Sequence, residues 1–168
     1  MAPINVVGTA STTNALTRIL LERRYGLTPS YVTHDPTGPA DFRKAGGIDA
    51  AVTIGDASFR DWGLPSLDLG ASWRDFTGVP FVFAVWAVRQ FDASLERRLR
   101  AAAREGRSRI DRIAEEKHAG VELTAAECRL YLTERITYDL GPAERAGFKL
   151  FERHARDLGL LDSPRRRR

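Results

Sequence analysis

Along the first half of the chain, apolar positions come in short blocks separated by polar turns. Ile4-Asn5-Val6-Val7 is a β-branched run that predicts a strand. It passes through Gly8 to Ser11-Thr12-Thr13, hydroxyl residues suited to a helix N-cap. Leu16, Ile19 and Leu20 then recur at helical spacing, and the pattern stops at Tyr25-Gly26. Tyr31-Val32-Thr33 predicts a second strand, followed by a Pro/Gly-rich loop from His34 to Pro39. Ala40 to Ala45 predicts a short helix closed by Gly46-Gly47, and Asp49 to Ile54 a third strand whose end meets Gly55-Asp56. This alternation implies an α/β lobe with a mainly parallel sheet.

The second half reads differently. Asp68-Leu69-Gly70 leads into a short helix with Trp73, then the turn Thr77-Gly78-Val79-Pro80. Phe81 to Val88 is apolar on both faces and predicts a central strand. Four helical stretches follow: Asp92 to Gly106, Ser108 to Gly120, Thr124 to Asp139 and Pro142 to Leu158. Thr124 to Glu127 fits a capping box, and Pro142 sits where helices accept proline. Trp73, Trp86, Phe81 and Phe83 are expected in the core, and Tyr131 and Tyr138, seven apart, on one helix face. Helices alone do not account for a two-faced apolar strand. Some sheet must receive it, so the chain is expected to cross between lobes.

Composition adds little to this picture. The 168 residues are 43% hydrophobic and 29% charged, ordinary for a globular protein. The net charge of +4 comes from Arg165 to Arg168; without that run basic and acidic residues balance. No nucleic-acid or membrane partner is therefore expected, and residues 163–168 read as a disordered Arg-rich tail. Cys128 is the single cysteine, which excludes a disulfide framework and fits a reducing compartment. The opening MAPINVVGTA does not resemble a signal peptide, so a cytoplasmic protein is expected.

Local chemistry narrows the function only to a candidate anion site. In an open parallel sheet, ligands sit beyond the carboxyl ends of strands, where helix N-termini present free N–H groups. Ser11, Thr12 and Thr13 stand at such a junction and suit a carboxylate or phosphate, or serve only as a cap. Asp56, at another strand end, can orient a ligand hydroxyl, act as a base, or cap the next helix. His34, His118 and His154 lack metal-ligand spacing, and no Walker A loop, GxGxxG or GxSxG motif occurs. Cys128 lies within a helical pattern and is expected to be buried.

Longer strings say more. AAVTIGDASF at Ala50 to Phe59, Asp68-Leu69-Gly70 with Trp73, TGVPFVFAVWA at Thr77 to Ala87 and YLTERITYDLGPAERAGFKLF at Tyr131 to Phe151 together resemble the chorismate dehydratase family of menaquinone biosynthesis. The resemblance runs from about Ile4 to about Leu161. A related family, the 1,4-dihydroxy-6-naphthoate synthases, shares the DLG-and-Trp region but differs after the proline, so Phe81 to Trp86 favours the dehydratase.

This resemblance implies a periplasmic-binding-protein-like (type II) two-lobed α/β fold. Residues 1–80 would form the α/β ligand-binding lobe, and residues 81–162 the return strand and helical part of an incomplete second lobe. The family's opening segment, with a Tyr-Leu-Asn-type motif, is not found, so apolar helical faces are expected to be exposed and to favour self-association. The family pattern at the hydroxyl turn is roughly Ser-x-Thr-Ser, and Ala10 stands at its first serine. The implied reaction removes water from chorismate to give 3-[(1-carboxyvinyl)oxy]benzoate, a step of the futalosine route that needs no cofactor or metal. Ser11, Thr12 and Thr13 would bind substrate carboxylates and Asp56 would be catalytic. A non-catalytic module binding an aromatic carboxylate is the alternative.

Overall fold

The computed structural model describes residues 5–7, 11–32 and 48–161. Three short strands form one parallel sheet: β1 (Asn5–Val7), β2 (Ser30–Val32) and β3 (Ala50–Ala51). Their order is β2-β1-β3, with Val7 opposite both Val32 and Ala51. The parallel α/β reading of the first half therefore holds. The third strand is shorter than the sequence predicts, because Val52 to Ile54 leave the ladder. The expected helix at Ala40 to Ala45, the loop before it and the Arg-rich tail lie outside the described residues.

Between β1 and β2 runs α1 (Ser11–Ile19), extended by a π-helical turn at Leu20–Arg24. Leu16, Ile19 and Leu20 are buried, as their spacing predicts. Tyr25 caps the turn and Gly26 follows at φ 66°, the left-handed conformation that makes glycine the natural stop. Arg18 pairs with Glu22 at 2.6 Å and lies over the Tyr31 ring, linking α1 to β2. Burial, and then the Glu22 carboxylate, push the Tyr31 phenol up to about 12, against the opposing pull of Arg18.

The chain divides into two compact units. The first comprises the described residues of Met1–Phe83 and Gly141–Arg168. Its centre is Trp73, on α2 (Leu69–Thr77), packed with Leu16, Ile19, Leu20 and Ala155. Arg24 reaches across to α2, donating to the Ser72 carbonyl and standing 3.7 Å from Asp75. The closing helix, α6 (Pro142–Asp157), packs on α1 and supplies Phe151 and His154 against Trp73. Pro142 begins that helix, the position where its missing N–H costs nothing.

The second unit is Ala84–Leu140. It contains α3 (Ala93–Ser108), α4 (Ile110–Lys117) and α5 (Ala125–Leu130), the last continued by a π-helical turn at Tyr131–Arg135. Asp92 caps α3 by accepting from the Ser94 and Leu95 amides. Thr124 and Glu127 form the capping box that their spacing predicts. Ala114 and Cys128 are the buried residues where α4 meets α5, and Arg129 pairs with Asp111 at 2.5 Å.

Two expectations need correction. Phe81 to Val88 is not a strand: no ladder partner pairs with it among the described residues. Phe81 reaches the Trp73 core, but Phe83 is 58% and Trp86 84% exposed, so neither is core. An apolar ribbon is buried only where sheet neighbours cover both its faces, and here none does. The second correction concerns Tyr138, which shares no helix with Tyr131. The helical path ends at Arg135, and the Tyr138 hydroxyl turns back to donate to the Leu132 carbonyl at 3.0 Å.

Candidate functional site

The sheet order supplies the geometry of the candidate site. From β1 the chain goes through α1 to β2 on one side, and from β2 it returns to β3 on the other. The direction of winding reverses between β1 and β3, and a parallel sheet opens a crevice beyond the carboxyl ends of the strands at such a point. Because Val7 and Ala51 are register partners, β1 and β3 end at the same level. The segments that leave these two strands lead to α1 in one case and to Asp56 in the other.

Ser11, Thr12 and Thr13 form the first turn of α1. Their amides are among those with no intrahelical acceptor, so the turn offers hydrogen-bond donors and the positive end of the helix dipole. Thr12 is exposed and Thr13 half-buried, its carbonyl accepting from the Thr17 hydroxyl at 2.9 Å. Asp56 is exposed, in a 3₁₀ turn at Gly55–Phe59. It caps neither neighbour: Ile54 holds the cap position of its own turn, and Asp68 caps α2. Gly55, at φ 59°, turns the chain as it leaves the sheet, a conformation that suits glycine.

The DLG-x-x-W string has a structural role at each named position. The Asp68 carboxylate accepts from the Ala71 amide at 2.8 Å, capping α2. Leu69 packs on the core, and a β-carbon at Gly70 would stand 3.4 Å from the Phe83 ring. Trp73 is fully buried, edge-on to Phe81, Phe151 and His154. Its indole Nε1 is buried without a hydrogen-bond partner. At the end of α2, Thr77 donates to the Trp73 carbonyl at 2.7 Å, and Gly78 closes the helix at φ 75°.

Two of the three histidines are among the described residues. His118 lies 3.0 Å from the Leu123 carbonyl, and His154 packs on Trp73 and Phe76. Burial, and then the positive charge of Arg153, hold the His154 imidazole below its ordinary value. No group of three or more His, Cys, Asp or Glu suited to a metal occurs among the described residues. Cys128 is buried, as expected. A groove of about 350 Å³ lined by Val79, Ala146, Lys149, Leu150 and Arg153 has no counterpart in the sequence reading. Its only trace there is the pair of cations four apart on one helix. No helix among the described residues is long and apolar enough to cross a membrane.

A family described as menaquinone biosynthesis matches residues 2–157, nearly the whole chain. The chain belongs to this family. Among its curated relatives, the chorismate dehydratase of Thermus thermophilus is 30% identical over 155 residues, covering 76% of this chain and 56% of that protein. The chain thus spans little more than half the length of that relative. The strings that carry the resemblance, from AAVTIGDASF to the GPAERAGFKLF of α6, all lie inside the family match.

Proposed function

We propose that this chain carries the carboxylate-gripping part of a chorismate dehydratase acting in the futalosine route to menaquinone. The observation that best supports this reading is the reversal of strand order at β1 and β3. With that order, the start of α1, with its free amides and the Ser11, Thr12 and Thr13 hydroxyls, follows the strand next to the one that leads to Asp56.

Chorismate carries two carboxylates, a ring hydroxyl and a neighbouring ring proton. In the dehydration the C–O bond of the hydroxyl breaks with its electron pair and the ring C–H bond yields its proton. The two leave together as water, and the ring becomes aromatic. Amides and hydroxyls at the first turn of α1 would hold a carboxylate. Asp56 would orient the departing hydroxyl or take the proton. The reaction is redox-neutral.

In this reading the fold is two-lobed and of the type II binding-protein kind. Residues 1–80 belong to its α/β lobe, and residues 81–162 to the return segment and the other lobe. The protein is cytoplasmic, with chorismate as its small-molecule partner. Phe81 to Trp86 favours the dehydratase over the related naphthoate synthase.

The test follows chorismate loss and product formation by chromatography and mass. Two proteins are compared: the 168-residue chain, and a chimera joining it to the part of the Thermus relative outside the match. We expect turnover only in the chimera, abolished binding with Thr12→Ala/Thr13→Ala, and lost turnover with retained binding for Asp56→Asn. Binding without turnover in both proteins would favour a non-catalytic module. Turnover unchanged by all three substitutions would overturn the site.

A further inference from the structure

We propose that the groove between α6 and the Thr77-to-Pro80 turn binds a small carboxylate with an apolar body, using no residue of the strand-end site. Four of its lining residues, Ala146, Lys149, Leu150 and Arg153, come from α6 and fall on one helical face. The fifth, Val79, is brought in because Gly147 lets the turn approach the helix axis: a β-carbon there would overlap the Pro80 carbonyl oxygen and stand 3.6 Å from Val79 Cγ2. The groove is therefore a product of the closest helix-to-turn approach in this unit's glycine contacts, not an accident of two side chains.

Size and chemistry point to the occupant. A volume of about 350 Å³ lies at the lower end of the range for small-molecule sites, roughly 300–1,000 Å³. Val79, Ala146 and Leu150 supply an apolar floor. Lys149 and Arg153, four residues apart and so neighbours on one helical face, supply two cations on which a carboxylate can be held. Neither has an ion-pair partner among the described residues, whereas Arg156 on the same helix is paired with Glu152. Burial first, then Arg153, with Arg23 adding and Asp157 opposing, hold the His154 imidazole below its ordinary value. This stretch of α6 is locally cationic. A bare inorganic anion would leave the apolar floor unused, and a long polyanion would overrun the volume.

The probe is 3-phenylpropionate, followed by ligand-observed NMR on the 168-residue chain. We expect saturable binding that weakens about tenfold or more in Lys149→Ala/Arg153→Ala, or about 1.4 kcal/mol. Raising salt from about 0.05 M to about 0.5 M should also weaken it. Both side chains are exposed, so the double variant should keep the melting temperature. If it does not, the neutral 3-phenylpropanamide on the native chain gives the same comparison, with about tenfold weaker binding expected. Equal binding of amide and carboxylate would overturn the proposal, as would unchanged binding in the double variant. So would acetate displacing the probe at equal concentration, or no binding at about 10 mM. Loss of binding in Thr12→Ala/Thr13→Ala alone would put the probe at the strand ends and overturn the groove, leaving the dehydratase reading intact.

Discussion

Gly147 and Pro80 meet where no side chain can stand: a β-carbon at Gly147 would overlap the Pro80 carbonyl oxygen and lie 3.2 Å from its carbonyl carbon. The two residues belong to two separate strings, TGVPFVF and GPAERAGFKLF, and the contact holds those strings together. A helix interior otherwise disfavours glycine, so the position is set by contact rather than propensity.

Gly147→Ala is therefore expected to destabilise the first unit. Overlap with backbone cannot be relieved by a rotamer change and costs about 3 kcal/mol, against a helix-propensity gain of about 1 kcal/mol. The net loss of about 2 kcal/mol lowers the melting temperature by roughly 4–8 °C. Gly106→Ala on α3 is the control: nothing lies within 4 Å of its β-carbon. That substitution should be neutral or stabilising by up to about 1 kcal/mol. Calorimetric melts of both variants check the pair, and equal shifts would refute the account.

Much of this was legible in the sequence. Leu16, Ile19 and Leu20 form the buried stripe their spacing announces, Thr124 and Glu127 cap as read, and the strand–helix alternation gives a parallel sheet. The ribbon at Phe81 to Val88 was misread because periodicity reports what a segment can do with neighbours, not whether neighbours are there. Asp56 and the α1 hydroxyls were found as strand-end chemistry. That the segments leading to them follow neighbouring strands, β1 and β3, depends on strand order, which no local pattern encodes. The Gly147 contact and the α6 groove were invisible for the same reason: both join positions some seventy residues apart.

The tryptophans should separate by solvent access. Trp73 is fully buried and Trp86 is 84% exposed. With the half-buried Trp62 replaced by Phe, iodide should quench a red-shifted component that Trp86→Phe removes, leaving a protected, blue-shifted one from Trp73. Protection of Trp86 in dilute solution would show that something covers the ribbon.

Stability should fall on mild acidification because of His154. Its folded-state value lies below the ordinary one, first through burial and then through Arg153, with Arg23 adding and Asp157 opposing. The unfolded chain therefore binds a proton first as pH drops below about 6.5, which favours unfolding until the folded form also protonates. Urea midpoints between pH 7 and pH 5 should decline, and His154→Phe should decline less. Identical slopes would remove His154 from the account.

At the alkaline end the sign reverses in the side chain but not in the outcome. Tyr31 is pushed up to about 12 by burial and then by Glu22, so it stays protonated in the folded chain after an unfolded tyrosine has ionised near pH 10. The stability it contributes is present below that pH and is lost as pH rises toward about 12. Absorbance at about 295 nm should show late-titrating phenols, because burial and then Tyr131 also raise Tyr138; Glu22→Gln should bring the Tyr31 part earlier and Arg18→Ala make it later still. A normal titration for every tyrosine would contradict the packing of α1 on β2.

The core of the first unit also sets an order of events during synthesis. Leu16, Ile19 and Leu20 leave the ribosome early, but the surface they bury against includes Trp73 and, at the far end of the chain, Ala155. Phe151, Leu158 and Leu160 complete that shell, so α1 has no finished seat until α6 and the residues just after it are made. The helices of the second unit, whose contacts are local, can settle while the first unit still waits. A chain cut after Leu140 would keep the whole second unit but lack Phe151, Ala155, Leu158 and Leu160, against which Leu16, Ile19 and Leu20 are buried.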